Sequence, residues 1–215
     1  MEKGIARYSL YTMALLAVGV AIQSMRYDAV PWNIYLGVDD AIRGVIEKVP
    51  LQALTHMIAG PIALLAGPWQ FFPRLRTNHP RIHRWTGRTY VAACIVSAVG
   101  ALFTAPYASG GPVAGVGFAL LGALWLGTTV VGWRAAVARK FELHRILMRF
   151  SYAMAFAAVT LRLQIPLGFM FFGFTSYRDM SVWLAYTSWI PNVIVVALYT
   201  LAAALRKRGA RTVAA

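Results

Sequence analysis

Six long apolar stretches dominate this chain and constrain its fold more than any other feature. A bilayer core of about 30 Å requires roughly 20 apolar residues in a helix, because every backbone amide there must bond within the segment. The six stretches run over residues 8–25, 50–72, 86–108, 113–133, 146–173 and 182–205. The sequence therefore predicts an all-α, multi-pass membrane protein, with a single domain over residues 1–215 that forms a bundle of six transmembrane helices.

The composition supports a membrane protein and argues against a nucleic-acid partner. Hydrophobic residues make up 59% of the chain and charged residues 13%, whereas an ordinary soluble domain is about 25% charged. The net charge of +14 would suggest nucleic-acid binding in a soluble protein, but the basic residues lie mostly in short links between apolar stretches. We expect the lipid bilayer, and no nucleic acid, to be the main partner.

The distribution of charge in the links predicts the orientation. The link after the second stretch, RLRTNHPRIHR, the link after the fourth, RAAVARKFELHR, and the tail RKRGAR are all rich in arginine. The segments after the first, third and fifth stretches together hold instead few cations and five acidic residues, Asp28, Asp39, Asp40, Glu47 and Asp179. Basic links remain on the cytoplasmic side, so we expect both termini in the cytoplasm and the protein in a bacterial cytoplasmic membrane.

Two N-terminal segments need separate interpretation. The first stretch is long for the core of a secretory signal and has no clear A-x-A site, so we expect a retained helix. The following segment, 26–48, is too polar to span a bilayer, and its part DDAIRGVIEK has the pattern of a short surface helix on the outer side.

A basic motif with a histidine occurs twice, at the starts of the third and fifth stretches. In HRWTGRTY, residues 83–90, and in HRILMRFSY, residues 144–152, His-Arg is followed by three residues, a second arginine and then a tyrosine. The topology places His83 and His144 at the same depth on the cytoplasmic side. Two neutral imidazoles at one level can ligate the iron of a b-type haem.

The neighbouring residues complete this haem hypothesis. Guanidinium groups can bind haem propionates, and the tyrosines would line the site. The predicted haem site comprises His83 and His144 as iron ligands with Arg84, Arg88, Arg145, Arg149, Tyr90 and Tyr152 around them. The same arginines could instead anchor the helix ends in an anionic leaflet, and the histidines could serve another polar ligand.

A second candidate site lies nearer the outer side. His56 in the second stretch and Arg162 in the fifth fall at similar depth, with Gln164 close to Arg162 in sequence. Together they could hold an anionic or quinone-like head group, because an arginine facing a bundle interior is usually functional. Alternatively, Arg162 extends to the outer surface.

The segments HMIAGPIALLAGPWQF, HRWTGRTY and HRILMRFSYAMAFAAVTLR together resemble the DUF2306 group of predicted bacterial membrane proteins. The resemblance covers roughly residues 50–165 and implies a membrane location without an established activity.

The chain also resembles, more loosely, the cytochrome b561-type proteins. That resemblance implies six helices, both termini inside, one haem between helices 3 and 5 and a second between helices 2 and 4. His83 and His144 match the first haem's ligands and His56 matches one ligand of the second. The fourth stretch, however, contains no histidine.

These patterns lead to two functional hypotheses. The first is an electron-transfer protein that binds haem b and exchanges electrons with a quinone or another redox partner. The alternative is a protein without haem: an accessory subunit, with a partner membrane subunit or as a homo-oligomer, or a lipid- or small-ligand-binding protein. No catalytic residue set is identified, so the sequence leaves open whether the protein is an enzyme.

Overall fold

The computed structural model describes residues 2–28 and 40–213, and the regular elements in those ranges are all helical. The α-helices are α1 Glu2–Asp28, α2 Asp40–Lys48, α3 Pro50–Ala66, α4 Pro73–Asn78, α5 Pro80–Thr104, α6 Gly111–Val137, α7 Phe141–Ala155, α8 Ala157–Phe171, α9 Tyr177–Thr187 and α10 Ile190–Val213. Short 3-10 turns at Pro68–Phe71 and Ala105–Tyr107 extend α3 and α5. The predicted all-α class is confirmed.

Five helical segments of the described chain are long and apolar enough to cross a membrane: Pro50–Phe71, Pro80–Tyr107, Gly111–Val137, Phe141–Phe171 and Tyr177–Lys207. The apolar part of α1, Tyr8–Ser24, is shorter. The structure thus supports a multi-pass membrane protein, while the count of six spans and the orientation of the termini stay predictions. The predicted surface helix corresponds to α2, whose Ile46 is buried.

Four helices, α3, α5, α6 and α7, form the centre of the bundle. Helix α3 packs along α5, α5 along α6, and α6 along α7. Helix α1 covers α3, α9 packs on α6, and α10 lies beside α7.

Glycine allows α3 and α5 to approach closely. A Cβ atom on Gly100 would lie 2.6 Å from the Gln52 carbonyl oxygen and 2.9 Å from the His56 backbone nitrogen. Likewise, a Cβ on Gly67 would collide with the ring of Tyr152, which occupies that space. Gly67 of the second stretch and Gly100 of the third therefore serve side-chain and helix packing in this bundle.

The fifth and sixth stretches are each interrupted, which the apolar pattern did not indicate. Helix α7 ends before Phe156, and α9 ends at Thr187 before α10 begins at Ile190. The second break has a local cause: Pro191 lacks the N–H that would bond the Thr187 carbonyl. The side chain of Gln164 donates to that carbonyl instead, at 3.1 Å.

Candidate functional site

His144 is held by α6. Its Nδ1 lies 2.9 Å from the carbonyl oxygen of Gly132. Because a carbonyl can only accept, Nδ1 must carry the proton, and the neutral ring keeps a lone pair on Nε2. Within the described residues no hydrogen bond uses that Nε2 atom, so His144 has the tautomer of a metal ligand or a base.

His83 is held in the opposite tautomer by Gln70. Backbone groups fix the orientation of the Gln70 amide: its nitrogen donates to the His83 carbonyl at 3.1 Å and its oxygen accepts from the Gly87 N–H at 3.3 Å. The same nitrogen donates to His83 Nδ1 at 3.0 Å. The neutral His83 ring therefore carries its proton on Nε2 and offers a donor there.

Three of the four arginines predicted to bind haem propionates contact other side chains of the protein, and the fourth is exposed. The Arg88 guanidinium lies 5.2 Å from the centre of the Trp85 ring, and that of Arg149 lies 5.1 Å from the centre of the Tyr199 ring. Arg145 forms an ion pair with Glu142 at 2.9 Å. Arg84 is exposed. All four suit an anionic membrane surface.

Tyr90 and Tyr152 lie deeper in the bundle and fill it. Their ring centroids are 6.2 Å apart, and both side chains are buried. The Tyr90 hydroxyl is 2.8 Å from Ser151 Oγ, and the Tyr152 hydroxyl donates to the Leu64 carbonyl at 3.3 Å. The rings of Tyr90 and Tyr152 thus pack together in the interior of the bundle.

The haem hypothesis requires both His83 and His144 as iron ligands. Their hydrogen bonds, however, do not fit a haem held by both rings. Each ligand needs a ring nitrogen with a free lone pair, whereas in His83 Nδ1 already accepts from Gln70 and Nε2 carries the proton. The haem site therefore stays a prediction, with His144 as the residue that fits it.

A cavity of about 240 Å³ lies among α1, α3, α5, α6 and the α7–α8 segment, and we term it the His56 cavity. Its wall is mostly apolar and includes Phe118, Trp125 and Met154. The polar side chains on its wall come from distant parts of the chain: Ser24, His56, Thr104, Arg162 and Ser188. His56 and Arg162, predicted to share a site, line the same cavity.

The His56 ring has a defined tautomer. Its Nδ1 lies 3.0 Å from the Ser97 carbonyl oxygen, so Nδ1 carries the proton and Nε2 keeps a lone pair. The Ser97 hydroxyl donates back to the His56 carbonyl at 3.2 Å. These bonds join α3 to α5, and within the described residues no hydrogen bond uses the Nε2 lone pair.

The hydrogen bonds of Arg162 include two within the described chain. Its guanidinium donates to the Ala158 carbonyl at 3.1 Å and to Ser24 Oγ at 2.8 Å. Gln164, the third predicted member of the outer polar site, bonds Thr187 and does not line the cavity.

A family described as "Predicted membrane protein (DUF2306)" matches residues 53–200. The chain belongs to the DUF2306 family. The matched range includes His56, both histidines of the pair and Arg162, and it leaves α1 outside. No curated protein and no solved structure matches this DUF2306 chain. The cytochrome b561 resemblance and the bacterial origin stay predictions.

Three serines of this DUF2306 protein are part of the site but were not predicted. Ser97 fixes the His56 tautomer, Ser24 bonds Arg162, and Ser188 lines the cavity with a buried hydroxyl that has no hydrogen-bond partner among the described residues. Ser97 is an isolated polar residue within an apolar stretch, which was the available signal, whereas Ser24 follows Gln23 near the end of the first stretch and gave none.

Proposed function

We propose that this protein binds the polar head group of a small, membrane-soluble, quinone-like ligand in the His56 cavity, within a bacterial cytoplasmic membrane. One observation carries the proposal: an imidazole with an unused acceptor nitrogen and a guanidinium line the same cavity inside the bundle. Ionisable groups inside membrane spans are costly and usually serve a ligand or an ion pathway.

The size of the His56 cavity supports a single ring as ligand. An apolar cavity of about 150 Å³ admits benzene, and pockets for drug-sized molecules start at about 300 Å³. At about 240 Å³, this cavity suits one substituted ring. Phe118 and Trp125 supply aromatic surface, while His56 and Arg162 supply the polar contacts.

A cavity-filling substitution tests this proposal. Ala158 lines the cavity, so Ala158→Phe should occupy it and reduce the binding of a decylubiquinone–decylubiquinol mixture at least about tenfold. Native mass spectrometry of detergent-solubilised protein measures the bound fraction. Ala123→Phe, at an exposed position of α6, is the matched control and should bind as wild type. Absence of binding to wild type, or unchanged binding to Ala158→Phe, contradicts the proposal.

The haem hypothesis has its own test. We expect protein purified from haem-supplied cells to show no Soret band, because the Gln70 bond occupies the lone pair of His83 Nδ1 and leaves the proton on Nε2. An absorption spectrum decides the question. A Soret band that disappears in His144→Ala would contradict this expectation and support haem ligation by His144, whose Nε2 lone pair is available.

A further inference from the structure

We infer that the His56 cavity selects the reduced, hydroxyl-bearing form of a quinone-type head group over the oxidised form. This inference rests on the proposed function and adds to it the redox state of the ligand. It depends on which polar groups of the cavity wall donate hydrogen bonds and which accept them.

His56 discriminates between the two forms. Its Nδ1 proton is committed to the Ser97 carbonyl, so the neutral ring presents a lone pair at Nε2. A quinone has two carbonyl oxygens and no donor. A lone pair of its carbonyl oxygen would therefore face the Nε2 lone pair with no proton between them. A quinol has hydroxyl groups that donate to Nε2. Leaving a desolvated polar group without its bond typically reduces affinity about tenfold or more.

Arg162 and Ser188 can form hydrogen bonds with both the quinone and the quinol. Arg162 is a pure donor, and it can donate to a quinone carbonyl or to the oxygen of a quinol hydroxyl. Its positive charge strengthens either of these hydrogen bonds. The Ser188 hydroxyl, which is buried and lacks a partner among the described residues, can donate or accept. Selectivity for the reduced form thus depends on His56.

These three groups can also contact a single ring from different sides. His56 extends from α3 and Arg162 from α8, while Ser188 follows α9, so the three groups reach the same cavity from different helices. A flat ring with oxygens at opposite positions can meet an acceptor at one oxygen and donors at the other. Hydroquinones have this geometry.

The test compares decylubiquinol with decylubiquinone, each alone, in anaerobic buffer. Native mass spectrometry should show that wild-type protein binds the quinol at least about tenfold more tightly than the quinone. In His56→Asn the side-chain amide offers a donor as well as an acceptor, so the ratio of the two affinities should fall to about one. His79→Asn, an exposed histidine, is the matched control and should keep the wild-type ratio.

The outcomes separate the two proposals. Equal binding of both forms by wild type overturns the selectivity and leaves the proposed function standing. Binding of neither form overturns both. A His56→Asn variant that retains the wild-type ratio overturns the inference in another way, because the selectivity would then not come from the imidazole. The wild-type ratio alone is decisive if the variant does not fold.

Discussion

Gly100→Ala is expected to lower the free energy of unfolding by about 3 kcal/mol, at the upper end of the usual cost of overpacking. The added Cβ would lie 2.6 Å from the Gln52 carbonyl oxygen, 2.7 Å from Thr55 Oγ1 and 2.9 Å from the His56 nitrogen. Two of these three atoms belong to the backbone of α3, so the helices must separate to admit it. Separation would also break the bonds between His56 and Ser97.

The single cysteine provides the measurement. Cys94 is fully buried, so a thiol-reactive maleimide labels it when the bundle opens. Gly100→Ala should be labelled at a clearly lower temperature than wild type. Gly127→Ala is the matched control, because the described residues leave open space around its Cβ; removing a helical glycine there should leave stability unchanged or raise it by up to about 1 kcal/mol. Equal labelling of Gly100→Ala and wild type would contradict the close packing of α3 on α5.

The sequence predicted those features of the fold that depend on local rules. Helix α5 begins at Pro80, as expected from proline's preference for the first helical turn. Apolar length predicted where the spans lie. Neither rule predicts the interruption at Phe156, since the freed Ala153 carbonyl accepts from Asn192, 39 residues away. A break stabilised by a distant side chain leaves no local pattern.

In the candidate sites, too, the sequence predicted some features and missed others. Helical rise placed His56 and Arg162 at one depth, and the structure brings both to one cavity. Depth, however, does not give the hydrogen bonds of a side chain. Gln70 sets the tautomer of His83 from 13 residues away in a different element, and Ser97 sets that of His56 across 41 residues. These pairings depend on how helices rotate against each other, which residue spacing within one helix does not determine.

Tyr90 illustrates how a residue predicted to line a site can instead stabilise the bundle. Its hydroxyl meets Ser151 Oγ at 2.8 Å, and Ser151 in turn meets Thr129 Oγ1 at 2.7 Å. These three side chains come from α5, α7 and α6 and are almost completely buried. Ser151 is therefore the centre of a hydroxyl cluster that joins three helices.

Ser151→Ala is expected to lower the free energy of unfolding by about 2 kcal/mol, because it removes two interhelical hydrogen bonds and leaves the Tyr90 hydroxyl buried without its partner. Tyr90→Phe removes one of those bonds together with the group that would be left unpaired, so its cost should be smaller, about 1 kcal/mol. Labelling of Cys94 during heating measures both. If Tyr90→Phe cost as much as Ser151→Ala, the bond from Ser151 to Thr129 would contribute nothing, and the cluster would reduce to a single contact between α5 and α7.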